Sequence, residues 1–284
     1  MPLLTLFLVG LVLHTSPAAP AVGVSSRLQE VTFESAALGG PAKYLVALPE
    51  GYEAATNPVP VLYLLHGLTG GYRDWSTRTR LFDHLADANL LVVMPDADDS
   101  WYVNAGERAG YEDYVALDLV ADVERRFRAL ATREGRAIAG LSMGGYGAIK
   151  IAFRYPDKFS VAGSFSGAFE VIRDGRPGRW VRDPKAFRRL FGPPGSPRRI
   201  ENDVFLLARK ADPAMVPYFY LDCGTGDPLL PANRDFVAIL RQRKVAYEYH
   251  ESPGAHRWDY WDRRLPELLR VIEQRLQSAA GQSR

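Results

Sequence analysis

An α/β fold, with a mostly parallel twisted central sheet and helices on both faces, is what this sequence predicts, and three observations carry that expectation. Strand-like and helix-like stretches alternate along the chain after Arg27. Two of the strand-like runs, VPVLYLLHG (59–67) and LLVVMPD (90–96), are almost continuously apolar, as strands covered on both faces must be. A third stretch, RAIAGLSMGGYGAIKIAF (136–153), passes from a small apolar run into a helical pattern through four glycines within Gly140–Gly147. Glycine at that density marks a backbone that folds too sharply, or is approached too closely, for side chains.

The elements follow in order. VTFES (31–35) and KYLVALP (43–49) are short and β-rich and predict an opening antiparallel pair. The buried strand at 59–67 leads to a helix over Thr79–Asn89 and then to the second buried strand, 90–96. Val115, Leu117, Leu119, Val120, Val123 and Phe127 recur at helical spacing and predict a helix over Tyr114–Leu130. RAIAG reads as a strand, the residues through Phe153 as a helix, and VAGSFSG (161–167) as the next strand. YFYLDCG (218–224), a helix over Asn233–Gln242, VAYEYHE (245–251) and a last helix from Trp258 to Gln277 complete the alternation. No repeat or composition shift divides residues 27–280, so they are expected to form one domain. One excursion interrupts it at 170–200. Residues 170–199 carry nine Arg or Lys against three acids, with five prolines. A solvated surface excursion is expected there, with a cap or lid beside the site as the sharper alternative.

Composition excludes several function classes. The net charge of +2 among 284 residues does not suit a broad basic nucleic-acid surface. A single cysteine, Cys223, excludes an internal disulfide and any multi-cysteine metal site, and it is expected to be a small buried residue. Asp96, Asp98 and Asp99 lack calcium-loop spacing and are expected to cap their loop. No dinucleotide, phosphate-loop or zinc pattern appears, so no cofactor or metal is required. Residues 1–21 resemble a secretory leader: an apolar run from Leu3 to Leu13, then small residues and prolines, with no charged side chain before Arg27. Cleavage is expected near Ala19 or Ala21, giving an exported (periplasmic or secreted) protein. The run is too short for a stable membrane anchor. The missing Lys or Arg before it leaves a cytoplasmic protein as the alternative.

Gly140-Leu141-Ser142-Met143-Gly144 fits G-x-S-x-G, the turn that lifts a serine hydroxyl off the end of a sheet between a strand and a helix. Gly163-Ser164-Phe165-Ser166-Gly167 looks similar but centres on phenylalanine and is not a match. A serine hydroxyl needs a base in hydrogen-bond reach and an acid that orients the base. In α/β-hydrolases these follow in the order Ser, Asp or Glu, His. After residue 142 only His250 and His256 qualify as base. His250 lies within a strand, whereas His256 lies in the loop before the last helix and is the choice. Asp227, in the loop after Gly224-Thr225-Gly226, is preferred over Asp222, which is still in the strand. The N–H groups of Met143 and of Leu68, after His66-Gly67, are the candidate oxyanion hole, with His66 structural. Trp101 is the candidate for lining the substrate pocket, with packing under its loop as the alternative. Trp258, Tyr260 and Trp261 are expected to fasten the last helix.

HGLTGGYRDW, MPDADDSWYVN, GLSMGGYGAIKIAFRYPDKFSVAGSFSGAF, LDCGTGD and GAHRWDYW, in that order, resemble the esterase D group of α/β-hydrolases. That group includes S-formylglutathione hydrolases, acetyl-xylan and feruloyl esterases and mycolyltransferases, and the nearest likeness is to bacterial tributyrin esterases. The resemblance covers residues 30–275 and implies Ser142, Asp227 and His256 as the triad, with Leu68 and Met143 at the oxyanion hole. It implies a carboxylesterase acting on short-acyl, small-molecule or polysaccharide-linked esters, with no cofactor. The formylglutathione hydrolases read SGLTC where this chain reads HGLTG and lack an export signal, which counts against that member of the group. The alternatives are an acetyl-xylan or feruloyl esterase, an acyltransferase of the same fold, and a non-catalytic binding protein. The oligomeric state is not legible.

Overall fold

Residues 27–106, 109–173 and 183–282 are described by the computed structural model; the leader read at 1–21 lies outside them. Eight strands make one sheet: β1 (Leu28–Ser35), β2 (Gly40–Ala47), β3 (Val61–Leu65), β4 (Leu91–Pro95), β5 (Arg136–Leu141), β6 (Val161–Phe165), β7 (Tyr218–Gly224) and β8 (Tyr247–Ser252). Their spatial order is β1-β2-β4-β3-β5-β6-β7-β8. The first two strands pair antiparallel, β2 pairs antiparallel with β4, and every later pairing is parallel. β3 lies between β4 and β5, so the connections leaving β3 and arriving at β5 run to opposite sides. That places the switch point of the sheet at the carboxyl ends of β3 and β5, where α/β proteins open a crevice.

Every residue of β3, β4, β5 and β6 is buried, which explains their unbroken apolar runs. Successive residues still serve opposite faces. Tyr63 and Leu65 join one core, and Leu62 and Leu64 the other. The first core is covered chiefly by α4 (Leu119–Arg126) and α5 (Met143–Arg154), the second by α10 (Trp258–Gln282).

Three helical segments differ from the sequence reading. In place of one helix over 79–89 there are two short ones, α1 (Asp74–Arg78) and α2 (Leu81–His84). Thr79 ends the first: its backbone is extended and its hydroxyl donates to the Trp75 carbonyl. The helix read over 114–130 begins with α3 (Tyr111–Asp113), widens into a π-turn at Tyr114–Asp118, and ends at Arg126 because Phe127 is extended. The described part of the 170–200 excursion is not merely solvated. It holds α6 (Pro184–Phe191) and α7 (Pro197–Glu201), followed by α8 (Val204–Lys210). Asp183, Ser196 and Asp203 cap the three helices. Phe187, Phe191, Val204 and Phe205 are buried, while Arg188, Arg189 and Arg198 are exposed. Tyr146 of α5 donates to the Asn202 carbonyl at 2.8 Å. Lys150, fully buried on the same helix, bonds Glu112, the Tyr102 carbonyl and Asn202. Burial lowers the affinity of Lys150 for its proton, and the Glu112 carboxylate opposes that. α9 (Leu230–Arg243) completes the fold.

Candidate active site

The site begins at the turn from β5 to α5. Ser142 holds φ 53° and ψ −115°, a left-handed conformation for a residue that carries a Cβ. Gly140 and Gly144 explain how the turn fits. A Cβ on Gly140 would lie 2.8 Å from the Leu65 carbonyl oxygen, and one on Gly144 would lie 2.5 Å from both the Leu65 and His66 carbonyl oxygens. Those neighbours are backbone and cannot yield, so the elbow requires glycine at both positions. The Ser142 N–H donates to the Phe165 carbonyl at 2.9 Å, which ties the turn to the end of β6.

Two loops bring partners to the hydroxyl. His256, between β8 and α10, has Nε2 3.0 Å from Ser142 Oγ. Its Nδ1 lies 2.9 Å from Asp227 Oδ2, in the loop after β7. A carboxylate only accepts, so Nδ1 carries the proton and Nε2 is left to accept from the serine hydroxyl. The Asp227 carboxyl is fully buried, and its other oxygen accepts the Leu229 N–H at 2.8 Å. Burial alone would raise its pKa. The bond and charge of His256 and the bond from the Leu229 N–H outweigh that and hold it below the usual carboxylate range. The ring of Trp261 stands edge-on to His256 at 5.0 Å between centroids.

Leu68 and Met143, the candidate oxyanion-hole residues, lie beside the serine. Met143 is the first residue of α5, where an N–H has no acceptor within its own helix. Leu68 lines the same cleft as Ser142. His66 is buried beneath that loop: Nδ1 donates to the Gly67 carbonyl at 2.8 Å, and Nε2 accepts the Ala97 N–H at 3.0 Å. Both nitrogens are occupied, so His66 braces the loop.

The cleft above Ser142 and His256 has a volume of about 320 Å³, with Leu68, Leu141, Asp74, Arg78, Trp258 and Trp261 in its walls. Trp101 is not among them, which corrects its assignment to the substrate pocket. It is 4 % exposed and packs edge-on against Tyr146 and Phe191, under the excursion helices. Conversely, Trp258 and Trp261 do more than fasten α10, since both face the cleft. Asp74 and Arg78 went unread. Their only signal was an acid and a base four residues apart just after HGLTGG, and they pair at 3.4 Å.

The remaining candidates lie elsewhere. His250 stays in β8, stacked on Tyr220 at 5.3 Å. Asp222 is buried and bound by Tyr220, Tyr260 and Arg264, the last at 2.6 Å. Asp98 accepts from the Tyr111 hydroxyl and Asp99 from the Thr69 N–H, each at 2.6 Å. Among the described residues no group of three or more His, Cys, Asp or Glu is placed to hold a metal ion, and no helix is long and apolar enough to cross a membrane.

Comparison with known proteins is consistent with this geometry. A family model described as putative esterase matches residues 35–272. An acetyl esterase from Caldicellulosiruptor saccharolyticus is 30 % identical over 209 residues, covering 71 % of this chain and 79 % of that protein. The crystal structure of an S-formylglutathione hydrolase from Staphylococcus aureus superimposes with a TM-score of 0.76 at 29 % identity, covering 86 % of this chain and 98 % of the other. A fluorophosphonate-binding serine hydrolase of the same organism, solved with substrate bound, gives 0.77 at 28 % identity, covering 86 % and 97 %.

Proposed function

The chain belongs to the esterase family and is a serine carboxylesterase of α/β-hydrolase fold, and on that premise we propose that it cleaves short-acyl esters with Ser142 as nucleophile, His256 as base and Asp227 as the orienting acid. The observation that carries the assignment is the unbroken chain Ser142 Oγ to His256 Nε2 to Asp227, at 3.0 and 2.9 Å.

In this reading Ser142 Oγ attacks the ester carbonyl carbon as His256 Nε2 takes the hydroxyl proton. The carbonyl oxygen becomes an oxyanion, received by the N–H groups of Met143 and Leu68, each worth about 3 kcal/mol. Collapse breaks the ester C–O bond, and His256 returns the proton to the departing alcohol. Water then attacks the acyl-enzyme with His256 again as base, releasing the acid and restoring Ser142. Asp227 stays ionised throughout and steadies the imidazolium.

The small cleft and the relative named as an acetyl esterase both favour a short acyl group. One observation favours a carbohydrate-linked alcohol as a second reading. The cleft wall offers the Trp258 ring with the Arg78 guanidinium 5.6 Å from its centroid and Asp74 beside it, a combination suited to a hydroxyl-rich partner. Turnover of p-nitrophenyl acetate, butyrate, octanoate and laurate tests the principal reading. The two short esters should be hydrolysed fastest, and Ser142→Ala should abolish turnover of all four. Activity that survives in Ser142→Ala overturns the nucleophile, and a preference for laurate overturns the short-acyl assignment.

Export is likewise proposed, on the leader-like residues 1–21. Expression of the full chain in a bacterial host should give a protein outside the cytoplasm that begins at residue 20 or 22. A full-length cytoplasmic product refutes it.

A further inference from the structure

Tyr102, in the loop between β4 and α3, has no part in the mechanism so far, yet it is fully buried with every polar group engaged. Its N–H donates to Ser100 Oγ at 3.0 Å, its carbonyl accepts from Lys150 Nζ at 2.5 Å, and its hydroxyl donates to the His66 carbonyl at 3.0 Å. Trp101 and Tyr102 hold φ 54° and 55°, two successive left-handed residues that both carry a Cβ. Strain of that kind persists only where the surroundings over-determine it, and it gathers at functional sites. Part of the surroundings here is α5. A Cβ on Gly147 would lie 2.4 Å from the Tyr102 ring, so the ring rests on bare helix one turn beyond Met143.

We propose that Tyr102 is a positioning residue for the esterase reaction, its hydroxyl holding the segment His66–Leu68 so that the Leu68 N–H faces the oxyanion. The His66 carbonyl that it bonds is the one a Cβ on Gly144 would approach to 2.5 Å, so this peptide is packed on the first turn of α5 as well. The next peptide joins the Gly67 carbonyl to the Leu68 N–H in one rigid plane. His66 Nδ1 and the Gly70 N–H both donate to the Gly67 carbonyl, at 2.8 and 3.1 Å, which fixes the direction in which the Leu68 N–H points. His66 does this only while its backbone and ring keep their places. The Tyr102 hydroxyl holds the backbone, and the Ala97 N–H, donating to Nε2 at 3.0 Å, holds the ring. One residue beyond Leu68, the Thr69 N–H donates to Asp99 at 2.6 Å. These three bonds tie residues 97–102 to residues 66–69, and the one from Tyr102 is also anchored to α5 through Lys150 and Gly147. Tyr102 therefore touches the loop of one oxyanion donor and the helix of the other, and it sets their spacing. Burial holds its pKa well above the ordinary phenol value, so the hydroxyl keeps its proton and stays a donor.

The inference rests on the reading of Ser142 as nucleophile and of Leu68 and Met143 as oxyanion donors, and the experiment separates the two. Tyr102→Phe keeps the ring and deletes the hydroxyl. For p-nitrophenyl acetate, kcat should fall about tenfold to a hundredfold, at or below the roughly 10²–10³-fold cost of deleting an oxyanion donor outright, with KM little changed. Acylation and deacylation both pass through an oxyanion, so kcat falls whichever step limits it. A short alkyl trifluoromethyl ketone, to whose carbonyl carbon Ser142 Oγ adds to leave an oxyanion, should lose affinity by a similar factor. Tyr146→Phe controls for lost packing. It deletes another buried tyrosine hydroxyl that donates to a backbone carbonyl, that of Asn202, on the same helix but away from the loop. It should melt lower, as Tyr102→Phe does, and keep wild-type kcat and ketone affinity. Wild-type kcat in Tyr102→Phe overturns the proposal, and so does a kcat loss with ketone affinity unmoved. An equal loss of kcat in both variants overturns it too, since that marks a packing role. Equal binding of the ketone to wild type and Ser142→Ala would mean that no oxyanion forms, and would instead sink the underlying reading of the site.

Discussion

At Ser142 the backbone adopts φ 53° and ψ −115°, and Thr69 in the same cleft is also left-handed, at φ 62°. Each such residue costs about 1–3 kcal/mol, which surrounding structure must offset. At Ser142 the compensation is visible in the closely packed glycines and in the bonds its own peptide makes to Phe165 and Ala168. The strain lifts Oγ into the cleft, so stability and function should separate at this one residue. Ser142→Ala keeps the Cβ and the strain, whereas Ser142→Gly removes both, and each loses the same hydroxyl bond to His256. The glycine variant should therefore be more stable than the alanine variant by about 1 kcal/mol, after allowing for the extra chain entropy of glycine. That corresponds to a Tm about 2–4 °C higher. Neither variant should turn over ester. Equal melting of the two, or a more stable alanine form, would refute the strain argument.

Element by element, legibility followed the strength of the local signal. β3, β4, β5 and β6 were readable because strands buried on both faces must be apolar throughout, and the elbow was readable because its glycines answer a backbone collision that no other residue avoids. Asp227 and His256 were chosen by chain order and by their place in loops, and the structure brings them together with Ser142, while Asp222 and His250 belong to strands whose ladders bury them or hold them in the sheet. The helical segments around residue 80 and residues 184–210 were misread or missed because short helices are decided by caps and by what they pack on. A count of arginines over 170–199 is silent about Phe187 and Phe191, which are buried on the inner side. Trp101 failed for a related reason. Its loop lies near the site in sequence motif, but its side chain turns away to Tyr146 and Phe191, a tertiary choice with no local mark. Arg78 and Asp74 escaped because an ion pair four residues apart is commonplace on helices and only the fold shows that this one faces Ser142.

Across the whole molecule, the candidate triad is spread over the carboxyl ends of β5, β7 and β8, so the site exists only while the sheet and α10 are docked. An aromatic chain records that docking. Trp75 donates its indole N–H to the Leu65 carbonyl at the end of β3, its ring meets Trp258 at 5.3 Å, Trp258 meets Trp261 at 5.3 Å, and Trp261 meets His256 at 5.0 Å. Three of the five tryptophans in the chain therefore lie beside the site, and intrinsic fluorescence should report its integrity. The Asp222 cluster pins the same helix from the other side, with Tyr260 and Arg264 reaching from α10 to the end of β7. On heating, ester hydrolysis, tryptophan fluorescence and helical circular dichroism should disappear in one coincident transition, because no element of the site can leave without opening a core face. Arg264→Leu should break that coincidence. It leaves the buried Asp222 carboxylate without its counter-charge, a loss of about 3–5 kcal/mol when one partner of a buried pair is removed. The cost falls on the α10 contact, so activity and fluorescence should be lost before the helical signal of the rest of the protein. If wild-type activity is lost well below the fluorescence and dichroism midpoints, the site melts separately and the docking argument fails. If Arg264→Leu still unfolds in one coincident step, α10 is held by its apolar face alone.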